Sequence, residues 1–324
     1  MERVAVIERT GGPEVITWAD RDLPPPGPGE VQMRHDAVGL NFIDTYHRSG
    51  LYPVPLPSGL GSETAGVVEA VGEGVHDYAP GDRVATFGPA LGAYATARNV
   101  AAASLFRLPD HIDARTAAAA LLKGCTAEFL IERCARVEPG MTVLLHAAAG
   151  GVGQIAAQWL KAIGATVIGT VGSPEKAARA REIGVDHVIE YRREDIAARV
   201  REITSGQGVP VVLDGVGGST WTASLKSAAR RGLIVSYGNA GGPVEGVGLA
   251  TLNQHGSLFV TRPKAFDYYV TPGERAAGVA RLFEMLASGA VTVEIGQQFA
   301  LEDAAEAHRA IEAGETVGST VLLP

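Results

Sequence analysis

Between residues 29 and 104, short apolar runs are broken by glycine, as at 31–38, 64–71 and 83–87, and this pattern predicts strands. The tripeptide Pro80, Gly81, Asp82 supplies a tight turn into the last of them. An irregular, β-rich lobe is expected. Beyond Asp113 the period lengthens, predicting helices over 114–122 and 126–137, the second stopped by Pro139 and Gly140. Strands and helices then alternate: strand 142–146, a helix from Gly151 to Gly164, strand 165–171, and a helix capped by Ser173 with Pro174 at its first position. Strand 187–191, helix 195–204, strand 211–214, helix 220–229 and strand 233–238 continue the rhythm, which implies a parallel sheet covered on both faces. The tail predicts helix 273–287, a strand near Val291, helix 302–313 and a final strand over 320–323.

Composition narrows the function classes. A chain of 324 residues exceeds what one core usually serves, so two domains are expected. Twenty-eight basic residues against 36 acidic ones leave a formal charge of −8, a poor surface for a phosphate backbone, and nucleic acid is not expected as a partner. Cys125 and Cys134 match neither a zinc clamp nor a redox pair and read as buried small hydrophobes. Glu2, Arg3, Glu8 and Arg9 interrupt any apolar leader, so a cytoplasmic protein is expected. Residues 139–160 carry no charge, but Gly150, Gly151 and Gly153 at their centre suit a strand, turn and helix buried in protein rather than a membrane span.

That turn carries the chemistry. Ala149, Gly150, Gly151, Val152 and Gly153 follow a strand and open a helix, the context in which bare backbone amides and the helix dipole hold a pyrophosphate. The end of the next strand, where a carboxylate would bind an adenosine 2′-hydroxyl, reads Thr170, Val171, Gly172, Ser173. No acid stands there, and Lys176 follows on the next helix, which favours NADPH over NADH. Tyr191, at the tip of the third strand, is placed to cover the adenosine or touch its phosphate, while Glu175 is expected to face solvent.

With these residues in view, the chain resembles the zeta-crystallin-like quinone oxidoreductases of the medium-chain dehydrogenase/reductase superfamily. The family's signature is filled at Gly140, Met141, Leu144, Ala148, Ala149, Gly150, Gly151, Gly153, Gln158 and Lys161. The segments GLNFIDTYHRSGLYP from Gly39, HAAAGGVGQIAAQWLKAIGA from His146 and SYGNAGGPVEGV from Ser236 extend the likeness over nearly the whole length. The resemblance implies an α/β protein in which a GroES-like β-rich catalytic lobe (1–123) precedes a doubly wound parallel-sheet Rossmann domain (124–264), with 265–324 returning to the first lobe. It further implies a homodimer.

Zinc relatives hold their metal through positions equivalent to Asn41 and Ser62, neither a good zinc ligand, so no metal is expected. The reaction then needs an acceptor that is already electrophilic and donors for the anion it becomes. Asn41, Tyr46, Tyr52 and Arg262 are the candidate catalytic residues, each with a structural alternative: backbone capping for Asn41, packing for the tyrosines, a surface ion pair or a cofactor phosphate contact for Arg262. Asp44 is expected to orient its segment, and His146 to be a satisfied core histidine. The family pattern sets Tyr237, Gly238 and Asn239 against the nicotinamide, with Thr126 and Lys123 nearby. One departure stands out: Gly314 occupies the approximate place of an arginine that helps hold the 2′-phosphate in close relatives. The leading expectation is zinc-independent NADPH:quinone reduction, with enal or enone reduction second. An NADPH-binding structural or RNA-binding protein without turnover is third.

Overall fold

The computed structural model describes all 324 residues, which form two compact units: Met1–Lys123 with Val293–Pro324, and Gly124–Thr292.

In the first unit a seven-stranded sheet runs in the spatial order Ile295–Ala300, Ser319–Leu323, Glu30–Leu40, Glu63–Val71, Arg83–Phe87, Leu105–Arg107, with Ala97–Ala101 also paired to Glu30–Leu40. Its strands are antiparallel except for Ile295–Ala300 beside Ser319–Leu323. Alternate residues of the Glu30–Leu40 strand, Val31 and Met33, turn into a core with Val68, Val84, Val100 and Leu105. Toward its end Val38 and Leu40 enter a second core with Leu60, Tyr94 and the helix Ala304–Glu312.

The second unit holds a six-stranded sheet, every pair parallel, in the order His187–Glu190, Thr166–Val171, Thr142–Leu145, Val209–Asp214, Ala228–Ser236, Phe259–Thr261. In sequence terms the strands lie 3-2-1-4-5-6, the Rossmann order, and the direction of winding reverses at Thr142–Leu145. Val143, Leu144 and Leu145 are fully buried, as a parallel strand covered on both faces requires.

The structure corrects several expectations. Helix Ala114–Glu128 runs unbroken through residues 123–125 and widens into a π-helical segment, Phe129–Cys134, where the Ala135 amide donates to the Leu130 carbonyl. Gly124 lies inside that helix, where a β-carbon would run into the Leu282 side chain. Helix 220–229 is shorter than its pattern, Trp221–Ser227, because Ala228 already pairs with Val209 in the sheet. Segment 265–292 belongs to the second unit rather than to the return. The Tyr269 hydroxyl donates to Glu128 and to the Cys125 carbonyl, and the Gln158 amide bonds the Thr292 backbone at both its groups. Those bonds leave no strand near Val291, and pairing resumes at Ile295. Cys125 is buried, whereas Cys134 is only half-buried.

Candidate nucleotide and acceptor sites

In the second unit, the strand Thr142–Leu145 ends where the winding reverses, and the chain turns through Ala147, held at φ 54°, into helix Gly151–Ile163. The helix is capped by Gly150 with no side-chain bond, so its leading amides have no protein acceptor. That bare start is an anion seat. Gly153 cannot be enlarged, since a β-carbon would overlap the Ala147 carbonyl, whereas one on Gly150 would lie 3.3 Å from that oxygen. Beneath the turn a chain of hydrogen bonds has one polarity. Ser224 donates to Asp214 at 2.6 Å, so it accepts from His146 Nε2 at 3.1 Å; the bare Nδ1 accepts from Thr170 at 3.0 Å, and Thr170 in turn accepts from the Ala147 amide. His146 is therefore neutral, with burial pushing its pKa down, and it supports the turn as a satisfied core residue.

At the end of the adjacent strand, Ser173 caps helix Pro174–Glu182 by accepting the Lys176 amide, and Gly172 lies under the Tyr191 hydroxyl. The Lys176 ammonium is half-buried; burial, then the neighbouring Arg192, push its pKa down, against the pull of Glu175. Glu175 itself is exposed. Two cations thus share a corner that has no carboxylate partner for Arg192, since Arg193 and not Arg192 takes Glu190. Arg192 is the residue that sequence analysis missed; the signal was its place directly after the strand-tip tyrosine. Gly314, in the first unit at φ 68°, is flanked by Ala313 and Glu315 and supplies no cation.

Also at the carboxyl edge of this sheet, the Tyr237 amide donates to the Asp214 carbonyl, and a β-carbon on Gly238 would strike the Gly215 backbone. Arg262 donates to the Ser236 and Gly238 carbonyls at 3.1 and 2.8 Å. Its guanidinium braces the loop that leads to Asn239. Thr126 is half-buried on helix Ala114–Glu128.

The first unit gathers the other candidates. Asn41 ends the strand Glu30–Leu40 and caps helix Phe42–Ser49 in a reciprocal box with Asp44. Its Nδ2 donates to Glu63 at 2.8 Å and to the Gly39 carbonyl at 3.5 Å. Glu63, fully buried, also accepts the Leu122 amide at 2.6 Å and faces the Lys123 ammonium at 3.5 Å. Tyr46 and Tyr52 meet edge to face, ring centres 5.2 Å apart, and Phe42 lies 6.2 Å from Tyr46.

Behind Asn41 is a buried relay whose direction is again fixed. Arg48 has only donors, so His308 Nδ1 accepts from it at 3.1 Å; His308 Nε2 then donates to the Tyr94 oxygen at 2.9 Å, and Tyr94 donates to Asp44 Oδ2 at 3.2 Å. Asp44 Oδ2 also accepts the Asn41 amide, leaving Oδ1, which faces Ser62, as the one place on Asp44 for a proton. Burial raises Asp44 to about 7 against the hydrogen bond from Asn41, and burial lowers His308 to about 3. Asn41 and Ser62, the positions that carry zinc ligands in metal-dependent relatives, are thus engaged with carboxylates, and no cluster of three His, Cys, Asp or Glu side chains is arranged around a metal position.

The chain is similar to known proteins over its whole length. Residues 27–110 match the family model of the alcohol dehydrogenase GroES-like domain, and 151–261 that of zinc-binding dehydrogenases. The chain is 53% identical to a quinone oxidoreductase of Pseudomonas aeruginosa over 97% of both chains. It is 42% identical to a 2-haloacrylate reductase of a Burkholderia species, over 100% of this chain and 99% of the relative. Among solved structures, the Escherichia coli quinone oxidoreductase complexed with NADPH superposes with a TM-score of 0.97 at 46% identity, covering 99% of this chain and all of the other.

Proposed function

Because the chain belongs to the quinone oxidoreductase family of the medium-chain dehydrogenase/reductase superfamily, we propose that it reduces quinones with NADPH and without zinc. The observation that carries this is the uncapped helix start at Gly150 beside a ribose corner that offers Lys176 and Arg192 where a carboxylate would select NADH. The bound cofactor supplies the hydride. The amides of Gly151, Val152 and Gly153 bind its pyrophosphate, and Lys176, Arg192, Ser173 and Tyr191 hold the 2′-phosphate end. Thr126 and the loop Tyr237, Gly238, Asn239 orient the nicotinamide, with Arg262 keeping that loop in shape rather than touching the acceptor. Tyr46 and Tyr52 line the acceptor's place with an aromatic face, and Asn41 fixes the polar end of the same cluster. Steady-state assays decide the matter: NADPH oxidation by ortho- or para-quinones well above that with NADH is expected, and no turnover with any quinone would end the proposal.

Activated alkenes are a second reading, favoured by the 2-haloacrylate reductase relative. Matched quinones and enals assayed side by side separate the two. Dimerisation belongs to the same proposal. Strand Phe259–Thr261 closes its sheet with one side unpaired, and Phe259 and Val260 are 62% and 37% exposed, an edge that a second copy would cover. Light scattering should give twice the 33.6 kDa chain mass. Cys125 and Cys134 form no disulfide, which suits the reducing cytoplasm.

A further inference from the structure

Lys123 is 5% exposed, yet its ammonium is poorly satisfied. Of three N–H donors, one reaches Glu63 Oε2 at 3.5 Å, the outer limit of a hydrogen bond, and the other two meet no protein acceptor. Glu63 is held far better by others, by Asn41 Nδ2 at 2.8 Å and the Leu122 amide at 2.6 Å. A buried cation is costly unless its donors are filled, and a structure keeps such a charge half-paired where a ligand completes the set. Asn41 cannot donate to that ligand in place of Lys123, since its own amide hydrogens go to Glu63 and Gly39.

We propose that Lys123 is a catalytic residue, the electrostatic partner of the oxyanion formed on the reduced acceptor, and that Asn41 is a positioning residue acting through Glu63. The proposal rests on the quinone reductase reading. Two electrons and one proton pass from the dihydronicotinamide to the quinone as a hydride, giving NADP+ and a hydroquinone monoanion. The new negative oxygen accepts the two unfilled Nζ–H bonds, and the anion takes its second proton from water, Lys123 keeping its own throughout. Asp44 bears on the same ammonium electrostatically, so the test is made at one fixed pH.

With NADP+ bound, the native protein at one mildly alkaline pH should bind 4-nitrophenolate about tenfold more tightly than its neutral counterpart 4-nitroanisole, and Lys123→Gln should abolish the preference. In single turnover, Lys123→Gln should slow hydride transfer about a hundredfold with NADPH affinity unchanged, and Lys123→Arg, which keeps the charge, should recover most of the rate. Equal affinity for the two probes in the native protein, or a wild-type rate in a folded Lys123→Gln, overturns the proposal. If Lys123→Gln does not fold, the probe comparison on the native protein still decides. Failure of the native protein to oxidise NADPH with any quinone would sink the function itself and is distinguishable from both.

Discussion

The Tyr191 hydroxyl rests against the backbone of Gly172, 2.5 Å from where a β-carbon on that glycine would stand. No other residue type leaves room for the phenol, so the strand tip at Tyr191 and the strand end at Gly172 are matched surfaces. Gly172→Ala must push the tyrosine outward, removing about 1 kcal/mol of contact with the cofactor. The expected result is a several-fold to tenfold rise in the NADPH Michaelis constant with the melting temperature nearly unchanged. An unchanged Michaelis constant would mean that the ring does not meet the nucleotide.

Lys176 and Arg192 form the second test. Each should lose one charge-assisted bond to the 2′-phosphate when replaced by alanine, raising the NADPH Michaelis constant about tenfold. NADH, which lacks that phosphate, should be little affected by either substitution. Equal losses with both cofactors would place these side chains elsewhere. Since Gly314 supplies no cation, the double variant should show almost no preference between the two cofactors.

What the sequence made legible follows from how local each signal was. The glycine turn, the missing acid after Val171 and the Ser173 cap are short-range features, and the structure displays them as expected. Arg192 was hidden because its meaning depends on Lys176, sixteen positions away, across two adjacent strands. The break expected near residue 124 failed because glycine there answers to the Leu282 side chain, a tertiary contact that no local pattern carries. Ala147 illustrates the same limit: nothing in an alanine announces φ 54°, which the hydrogen bonds at Thr170 and Gly150 impose. The Lys123, Glu63, Asn41 cluster joins three separate segments and could not be assembled from spacing alone.

Gly150 and Gly153 should separate cofactor binding from folding. A β-carbon on Gly153 overlaps the Ala147 carbonyl, so Gly153→Ala forces the turn to move, at about 1–3 kcal/mol, and lowers the melting temperature by several degrees. Gly150 has φ −81°, ordinary for any residue, and tight but passable space. Gly150→Ala should therefore keep the melting temperature of the native protein while weakening NADPH binding at least tenfold, because the added methyl group blocks approach to the amides. Fluorescence titration and thermal melts on the two variants check this directly. A Gly150→Ala protein that binds NADPH normally would remove the pyrophosphate from that seat.

Asp44 makes stability depend on pH in an unusual direction. Burial holds its carboxyl protonated up to about 7, while in the unfolded chain it ionises near 3.8, so between these values the native state binds the extra proton and stability falls as pH rises. His35 and His308, kept near 3 by burial, act oppositely, their contribution being lost as pH falls below the unfolded value near 6.5. The Asp44 effect is therefore isolated as a difference between proteins. Asparagine reproduces the neutral acid: its oxygen accepts from the Asn41 amide and Tyr94, and its NH2 takes the place of the proton facing Ser62. Asp44→Asn should match the native protein near pH 4 and exceed it progressively toward pH 8, by an amount on the order of 4 kcal/mol at the top of the range. Urea unfolding of both proteins across that range measures the gap, and a gap that does not widen with pH would show that Asp44 is ionised in the folded protein throughout.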